Sequence, residues 1–315
     1  MVRYWRYAAL AGLGIVWASG WASADEAGLE GIRPAAASEP QLAEPVAWRT
    51  DYRAALAEAR QRNAMALLWF IDPQRPEATD SQESDLFRHK EVAELLDRYV
   101  PLKLSTDATI SAVLPADEAG TTTRDLRLLD HPAFAEMLGQ RGLAIVDLRD
   151  PEGPYFHQVV SVLPLGKRSI TPRHLTALLS LPDGSLTQRT LIWAVWTHAE
   201  HPLSASREAS PLLMREAASH ADYQASVGAG GHHHWGERFQ RINAQLPEGL
   251  VAQEICAESW PGQRLVEAAE ECVHSWRQSS GHWDAVRRAH PLFGYDMKRS
   301  AGGTWYATGI FGRQR

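Results

Sequence analysis

Cysteine is scarce in this chain: two in 315 residues, Cys256 and Cys272. Everything before Cys256 is therefore without a thiol, and thiol–disulfide exchange, which needs an attacking thiolate, is excluded from that stretch. Long apolar runs are scarce as well. Beyond Tyr7–Trp21 nothing approaches the ~20 apolar residues that a bilayer-crossing helix requires. Positive charge is not in excess: 32 Lys and Arg stand against 38 Asp and Glu, for a net charge of -6. An acidic chain lacks the counter-charge that nucleic acid or an anionic membrane surface demands of a partner. No Ser or Cys stands beside a base at the spacing of a nucleophile motif.

What is there is ordinary for a globular protein with a sizeable core, 44% hydrophobic and 22% charged. The length favours two domains. The N-terminus has the layout of an export signal: Arg3 and Arg6, then an apolar run broken by Gly and Ser, then Ala22-Ser23-Ala24 as a small-x-small site. The expectation is a signal peptide over residues 1–24, cleaved after Ala24, and a periplasmic or extracellular mature protein. Cleavage removes two Arg and no acid, so the mature chain is more acidic still. Residues 25–45 are rich in Ala, Glu and Pro without apolar periodicity, and read as a disordered linker with order starting near Val46. An even cysteine count in an exported chain suggests a bridge between Cys256 and Cys272; two small buried side chains that never meet is the other reading.

From Val46 the pattern alternates between helix and strand. Tyr52, Leu56 and Ala59 fall on one helical face, and Ala64–Ile71 is a continuous apolar run suited to a strand buried on both faces. A helix over His89–Tyr99 follows, then a strand at Val100–Leu104 and a helix over His131–Gln140. A strand at Leu143–Leu148 pairs across Asp150–Gly153 with Val159–Leu163. A helix over Thr171–Leu181 has Pro172 at its first position. This α-β-α-β-α-β-β-α order, opening on the helix of DYRAALAEARQRN, resembles the thioredoxin fold over residues 46–181. The family's Cys-x-x-Cys would fall just after the first core strand, where this chain has Asp72-Pro73-Gln74-Arg75-Pro76-Glu77-Ala78. The proline that the family sets before the strand at Leu143-Ala144 is missing too. The resemblance thus implies a redox-inactive domain with a structural or partner-binding role.

Leu181-Pro182-Asp183-Gly184-Ser185 is a turn and a domain junction. After it His and Trp become frequent. Helices are expected over Gln188–Ala199, within Arg207–Val227 (ending at Gly228), at Arg238–Ile242 and over Leu265–Trp276, with Gln253–Glu258 as strand or loop. Phe293–Lys298 and Trp305–Ile310 alternate around Ala301-Gly302-Gly303 as a hairpin.

Five pieces in order carry a second resemblance: EAASHADYQA, GHHHWGERF, QEICAE, CVHSWRQSSGHW and WYATGIFG. With its W-x-x-S-x-G-H core, residues 187–315 are similar to the CAP superfamily, which includes cysteine-rich secretory proteins, pathogenesis-related proteins and bacterial SCP-like exported proteins. The resemblance implies an α-β-α sandwich, so the fold class for the whole chain is α/β, a thioredoxin-like domain followed by a CAP domain. It also implies a cleft lined by His232, Glu254 and His282, with His233 nearly as good a match as His232. Some members bind a metal there, and two imidazoles with one carboxylate are the ligands of many open zinc sites; His232 and His282 would then be metal ligands and zinc the cofactor. Many eukaryotic members have a second Glu where this chain has Ser279. Ser280 reads as a helix N-cap. Cys256 lies beside Glu254, and a bridge to Cys272 would tether the Glu-bearing segment to the helix leading to His282.

Two functions are compatible with these residues. One is an exported binding or interaction protein for a protein, lipid-like or cell-wall ligand. The other is a metal-dependent or His/Glu-based hydrolase of extracellular peptide or cell-wall material, with Glu254 and the two His supplying a base and an oriented water.

Overall fold

The apolar run Met65–Ile71 forms the strand β1, buried along six of its seven residues. A computed structural model describes residues 42–75, 83–113 and 123–315. The expected signal peptide and most of the expected linker lie outside the described residues. The linker's last residues do not: Leu42 bridges His89, and the Ala43 amide donates to the Arg88 carbonyl at 2.7 Å. Residues 42–45, which the sequence pattern assigned to the linker, are therefore ordered.

Helix α1 (Tyr52–Gln61) is capped by Asp51, whose carboxylate accepts from the Ala54 amide. Helix α2 (Lys90–Leu96) leads into β2 (Tyr99–Ser105), parallel to β1. A hairpin that the sequence pattern did not suggest, β3 (Thr109–Val113) with β4 (Thr123–Arg127), comes next. Strands β5 (Gly142–Asp147) and β6 (Val159–Pro164) complete a four-stranded sheet in the order β2-β1-β5-β6, antiparallel except for β1–β2. Helix α3 (Pro172–Ser180) has Pro172 at its first turn under a Thr171 cap. The helix expected over His131–Gln140 is instead two short 3-10 turns, Leu128–Asp130 and Pro132–Met137. Leu138 and Gly139 both take left-handed backbone angles (φ 57° and 65°), and two such residues in a row stop an α-helical ladder.

Helix α4 (Leu186–Thr197) is buried along most of its length and joins this sheet to a second one. The second sheet runs β7-β9-β10-β8, with β7 (Glu208–Ala209), β8 (Leu250–Glu258), β9 (Leu292–Arg299) and β10 (Trp305–Gln314). Helix α5 (Pro211–Val227) covers one face: Leu213 and Ala217 pack on Ile310, and Gln224 bonds Thr308. Helices α4 and α7 (Leu265–Gln278) cover the other, where Cys272 and Trp276 share a core with Ile255, Ala257, Ala307 and Phe311. Short helices α6 (Trp235–Asn243) and α8 (Ser280–Arg287) flank the edge. The protein is thus a mixed α/β molecule, and its second half is layered α-β-α. Helix α8 starts one residue earlier than expected: Ser279 holds the cap position, Ser280 is already helical, and Ser279 makes no side-chain capping bond.

The bridge between Cys256 and Cys272 is not formed; both are free, buried thiols. Strand alternation is the reason. Cys256 shares the α5-facing side of β8 with Glu254, whereas Cys272 packs against the opposite side of the sheet, among Ile255 and Ala257. A bond between them would have to pass through the sheet.

Candidate functional site

Glu254 sits on β8 opposite Ile310, its side chain sealed from solvent. A lone carboxylate there would be costly, and this one is surrounded by donors. Arg238, from the first turns of α6, grips it with both terminal nitrogens, Nη1 on Oε2 and Nη2 on Oε1 at 2.8 Å. His232 Nδ1 is 3.0 Å from Oε1, and His220 Nε2 is 3.7 Å from the same oxygen. Burial alone would raise the Glu254 pKa. Its hydrogen bonds from His232 and Arg238, with the charges around it, outweigh that and hold it below the usual carboxylate value.

The loop after α5 delivers His232. Gly228 ends the helix in a left-handed conformation (φ 67°), and Gly231 turns at φ 140°, which favours glycine. Gln224 holds this loop by accepting from the Gly231 amide at 3.0 Å, and His220 donates from Nε2 to the Gly231 carbonyl at 2.9 Å. A carboxylate only accepts, so His232 donates from Nδ1; in the neutral ring this leaves the lone pair on Nε2. About half of the His232 side chain is open to solvent. His282 enters from the first turn of α8, its ring 6.3 Å from that of His232 at 52°. Burial, then the neighbouring His232, lowers its pKa, which favours the neutral ring.

Thus His232, Glu254 and His282, from three separate elements, come together. Between the two neighbouring His candidates the geometry chooses His232; His233 turns away and contacts the Ala229 carbonyl at 3.1 Å. Arg238 and His220 belong to the site as well. His220 had the pattern of a packed helix residue, and it is buried. The signal in the sequence was the pair His220 and Gln224, two polar residues at helical spacing on the apolar stripe of Leu213 and Ala217. Arg238 has a weaker signal, three residues after Trp235, over whose ring it lies at 5.1 Å.

The fit to a metal is partial. The ligand atoms of His220, Glu254 and Cys256 lie within 4.8 Å of one another. Both Glu254 oxygens, however, already accept from a guanidinium, and His220 Nε2 is spent on a carbonyl. Burial also pushes the Cys256 thiol far up, so it is not the thiolate that metals bind. The His232 and His282 nitrogens are free to ligate, with Glu254 orienting His232 from behind. A three-ligand set that includes Glu254 does not fit this arrangement. Cys256 Sγ lies 3.8 Å from His232 Nδ1, but as a protonated thiol it is no nucleophile either. Among the described residues no serine hydroxyl hydrogen-bonds His232 or His282.

The site opens on a cavity of about 520 Å³ lined by His232, Trp235, Ala252, Gln253, Glu254, Arg288 and Arg313. Among the described residues no helix is long and apolar enough to cross a membrane. The class defined by fold and site is therefore a mixed α/β protein with a histidine–carboxylate cleft at a sheet edge. No protein-family model matches the chain, and no curated protein does. Among solved structures it is similar to an outer surface protein from Borrelia burgdorferi, at 19% identity and a TM-score of 0.28, over 35% of this chain and 78% of that one.

Proposed function

We propose that this is an exported binding protein of CAP type, whose cleft around His232, Glu254 and His282 holds a ligand without transforming it, beside a thioredoxin-like half that serves as scaffold. The observation that carries this reading is the assembly itself. A fully buried carboxylate, held ionised by Arg238, fixes the tautomer of a half-exposed imidazole that faces an open cavity. With its ring neutral, His232 presents one oriented hydrogen-bond acceptor, Nε2, beside the imidazole of His282. It lacks the nucleophile that a covalent mechanism needs.

The Glu254–His232 pair favours one second reading. A carboxylate-oriented imidazole with a free Nε2 is also the base of a hydrolase, and could draw a proton from water. If zinc occupies the cleft, His232 and His282 hold it, and it would supply Lewis acidity to a bound water; Glu254 orients His232, and Arg238 keeps Glu254 ionised.

One experiment separates the readings. The ring Cε1–H signals of His232 and His282 are followed by NMR while neutral and charged small molecules are added, and peptide, ester and peptidoglycan hydrolysis is assayed in parallel. A binding protein shows saturable shifts at His232 that vanish in His232→Ala, and no turnover. Turnover that His282→Ala abolishes would make the protein an enzyme.

A further inference from the structure

Beside the His232 cavity lies a second, of about 600 Å³, whose lining includes Arg207, Gln253, Asp284, Arg288, His290 and Arg313. The two share Gln253, Arg288 and Arg313 as common wall. They are two reaches of one groove, with His232 at one end and Arg207 at the other.

Its charge is opposite in sign to the net charge of the chain. The chain has a net charge of -6, yet this groove presents three guanidinium groups from separate parts of the chain: the segment before β7, the end of α8 and the end of β10. Among the described residues no carboxylate pairs with Arg207 or Arg313, and the Arg313 side chain meets only the Gln314 carbonyl at 3.5 Å. Asp284 is the one acid in the lining of the second cavity, and it is shared: Arg287 Nη2 donates to it at 2.9 Å and Arg288 Nη2 at 3.1 Å. Glu254, the acid of the first cavity, is already neutralised by Arg238. His290 adds no positive charge. Its Nε2 is held by the Ala285 carbonyl at 2.7 Å, it stacks on Phe311 at 4.4 Å, and burial lowers its pKa.

We infer that Arg288 and Arg313, with Arg207 behind them, form an oxyanion subsite, so that the ligand of this cleft is a small molecule with a carboxylate or phosphate head. The assignment rests on the cleft being a binding site and names the class of what binds there. A guanidinium presents paired N–H donors in a plane that matches both groups. Each cavity has the volume of a small-molecule site. With its head between Arg288 and Arg313, the ligand reaches His232 Nε2 with a hydroxyl or amide N–H, the donor that a lone pair requires.

The test is calorimetric titration of the full chain with sodium phosphate and, separately, sodium succinate, at constant ionic strength in chloride. At least one anion binds saturably, and the Arg288→Ala/Arg313→Ala pair weakens it by about tenfold or more, the loss of two charge-assisted contacts. The Arg288→Lys/Arg313→Lys pair retains part of the affinity, and Asp284→Asn tightens binding by removing the competing carboxylate. Binding of phosphate alone marks a phosphate ester as ligand, and binding of succinate alone marks a carboxylate. No saturable binding of either anion, or equal binding by the double Ala variant, overturns the subsite. The His232 ring signal separates this failure from failure of the cleft reading. If neutral molecules shift it while neither anion binds, the cleft stands and the anion assignment falls; if nothing shifts it, both fall.

Discussion

Glu254 is an ionised carboxylate with no exposed side-chain surface, and its charge is sustainable because Arg238 lies against it. Removing one partner of a buried pair leaves the other uncompensated. Arg238→Ala should therefore cost about 3–5 kcal/mol in urea unfolding, whereas the paired change Arg238→Met/Glu254→Gln should cost less than the sum of its parts. The histidines set a pH dependence. Burial, first among the causes, lowers His220, His282 and His290 in the folded state. The unfolded chain then binds protons that the folded one refuses, so stability falls as pH drops below the ordinary histidine value of about 6.5. Glu254, held low, adds a further loss below the ordinary carboxylate value. Asp296, which burial raises, works in the opposite sense, and its effect sets in above the ordinary carboxylate value. Between about pH 7 and 5 the three histidines outnumber Asp296, and urea midpoints measured across that window should decline with acid. The cysteines supply another check. A closed bridge would contribute about 3 kcal/mol; with both thiols free, reductant should leave the melting temperature unchanged.

At the scale of elements, two contacts fix where helices sit. Gly294 of β9 meets the backbone of α5 so closely that an added Cβ would lie 2.2 Å from the Leu213 carbonyl carbon. Gly294→Ala must push the helix off the sheet, and with it the Gly228–His232 loop. We expect a loss of about 3 kcal/mol and, in NMR, loss of the His232 environment even where the fold survives. Arg189 on α4 is fully buried, and among the described residues no carboxylate pairs with it. It binds Ser161 Oγ at 2.8 Å and the Leu181 and Pro182 carbonyls at 3.0 and 2.8 Å, tying α4 to β6 and to the end of α3. Arg189→Ala strands those three acceptors, at about 1–3 kcal/mol each, and thermal unfolding should report it. The sequence pattern foreshadowed most of these elements: the apolar run became β1, the stripe Leu265, Ala269, Cys272, Val273 and Trp276 became the buried face of α7, and Pro172 marked the start of α3. It misjudged His131–Gln140, where local angles at Leu138 and Gly139 beat helical periodicity. It gave no sign of β3–β4, whose pairing is long-range. It offered Arg189 no role, because a lone Arg on an apolar helix says nothing of which carbonyls will surround it.

Across the whole molecule, residues 40–315 cluster as one compact unit, and the main hydrophobic core runs from Ala55 on α1 to Phe311 on β10, with a smaller one around Leu213 and Ile310. Surface contacts add to it: Arg168 pairs with Glu270 at 3.0 Å, and Glu136 accepts from the Leu265 amide at 3.4 Å. A shared core couples the two halves thermodynamically, so scanning calorimetry should show one cooperative transition rather than two. Residues 187–315 produced alone would expose the α4 surface that packs on the first sheet, and should melt at a lower temperature than the full chain.

Hydrophobic periodicity and turn chemistry are local properties, and they were enough to specify an α/β chain, most of its element order and the Gly- and Pro-marked ends of its helices. His232, Glu254 and His282 came from elsewhere, as what the resemblance of short segments to a known family implies. Which of two adjacent histidines faces the carboxylate, which arginine neutralises it, which side of β8 holds Cys256 and which three arginines share a groove are matters of faces and distances between residues far apart in the chain. Packing the helices on both sides of the second sheet settled them. It put Cys256 and Cys272 on opposite sides of β8, and it set Arg238 against Glu254, which the resemblance had placed in the cleft without a partner.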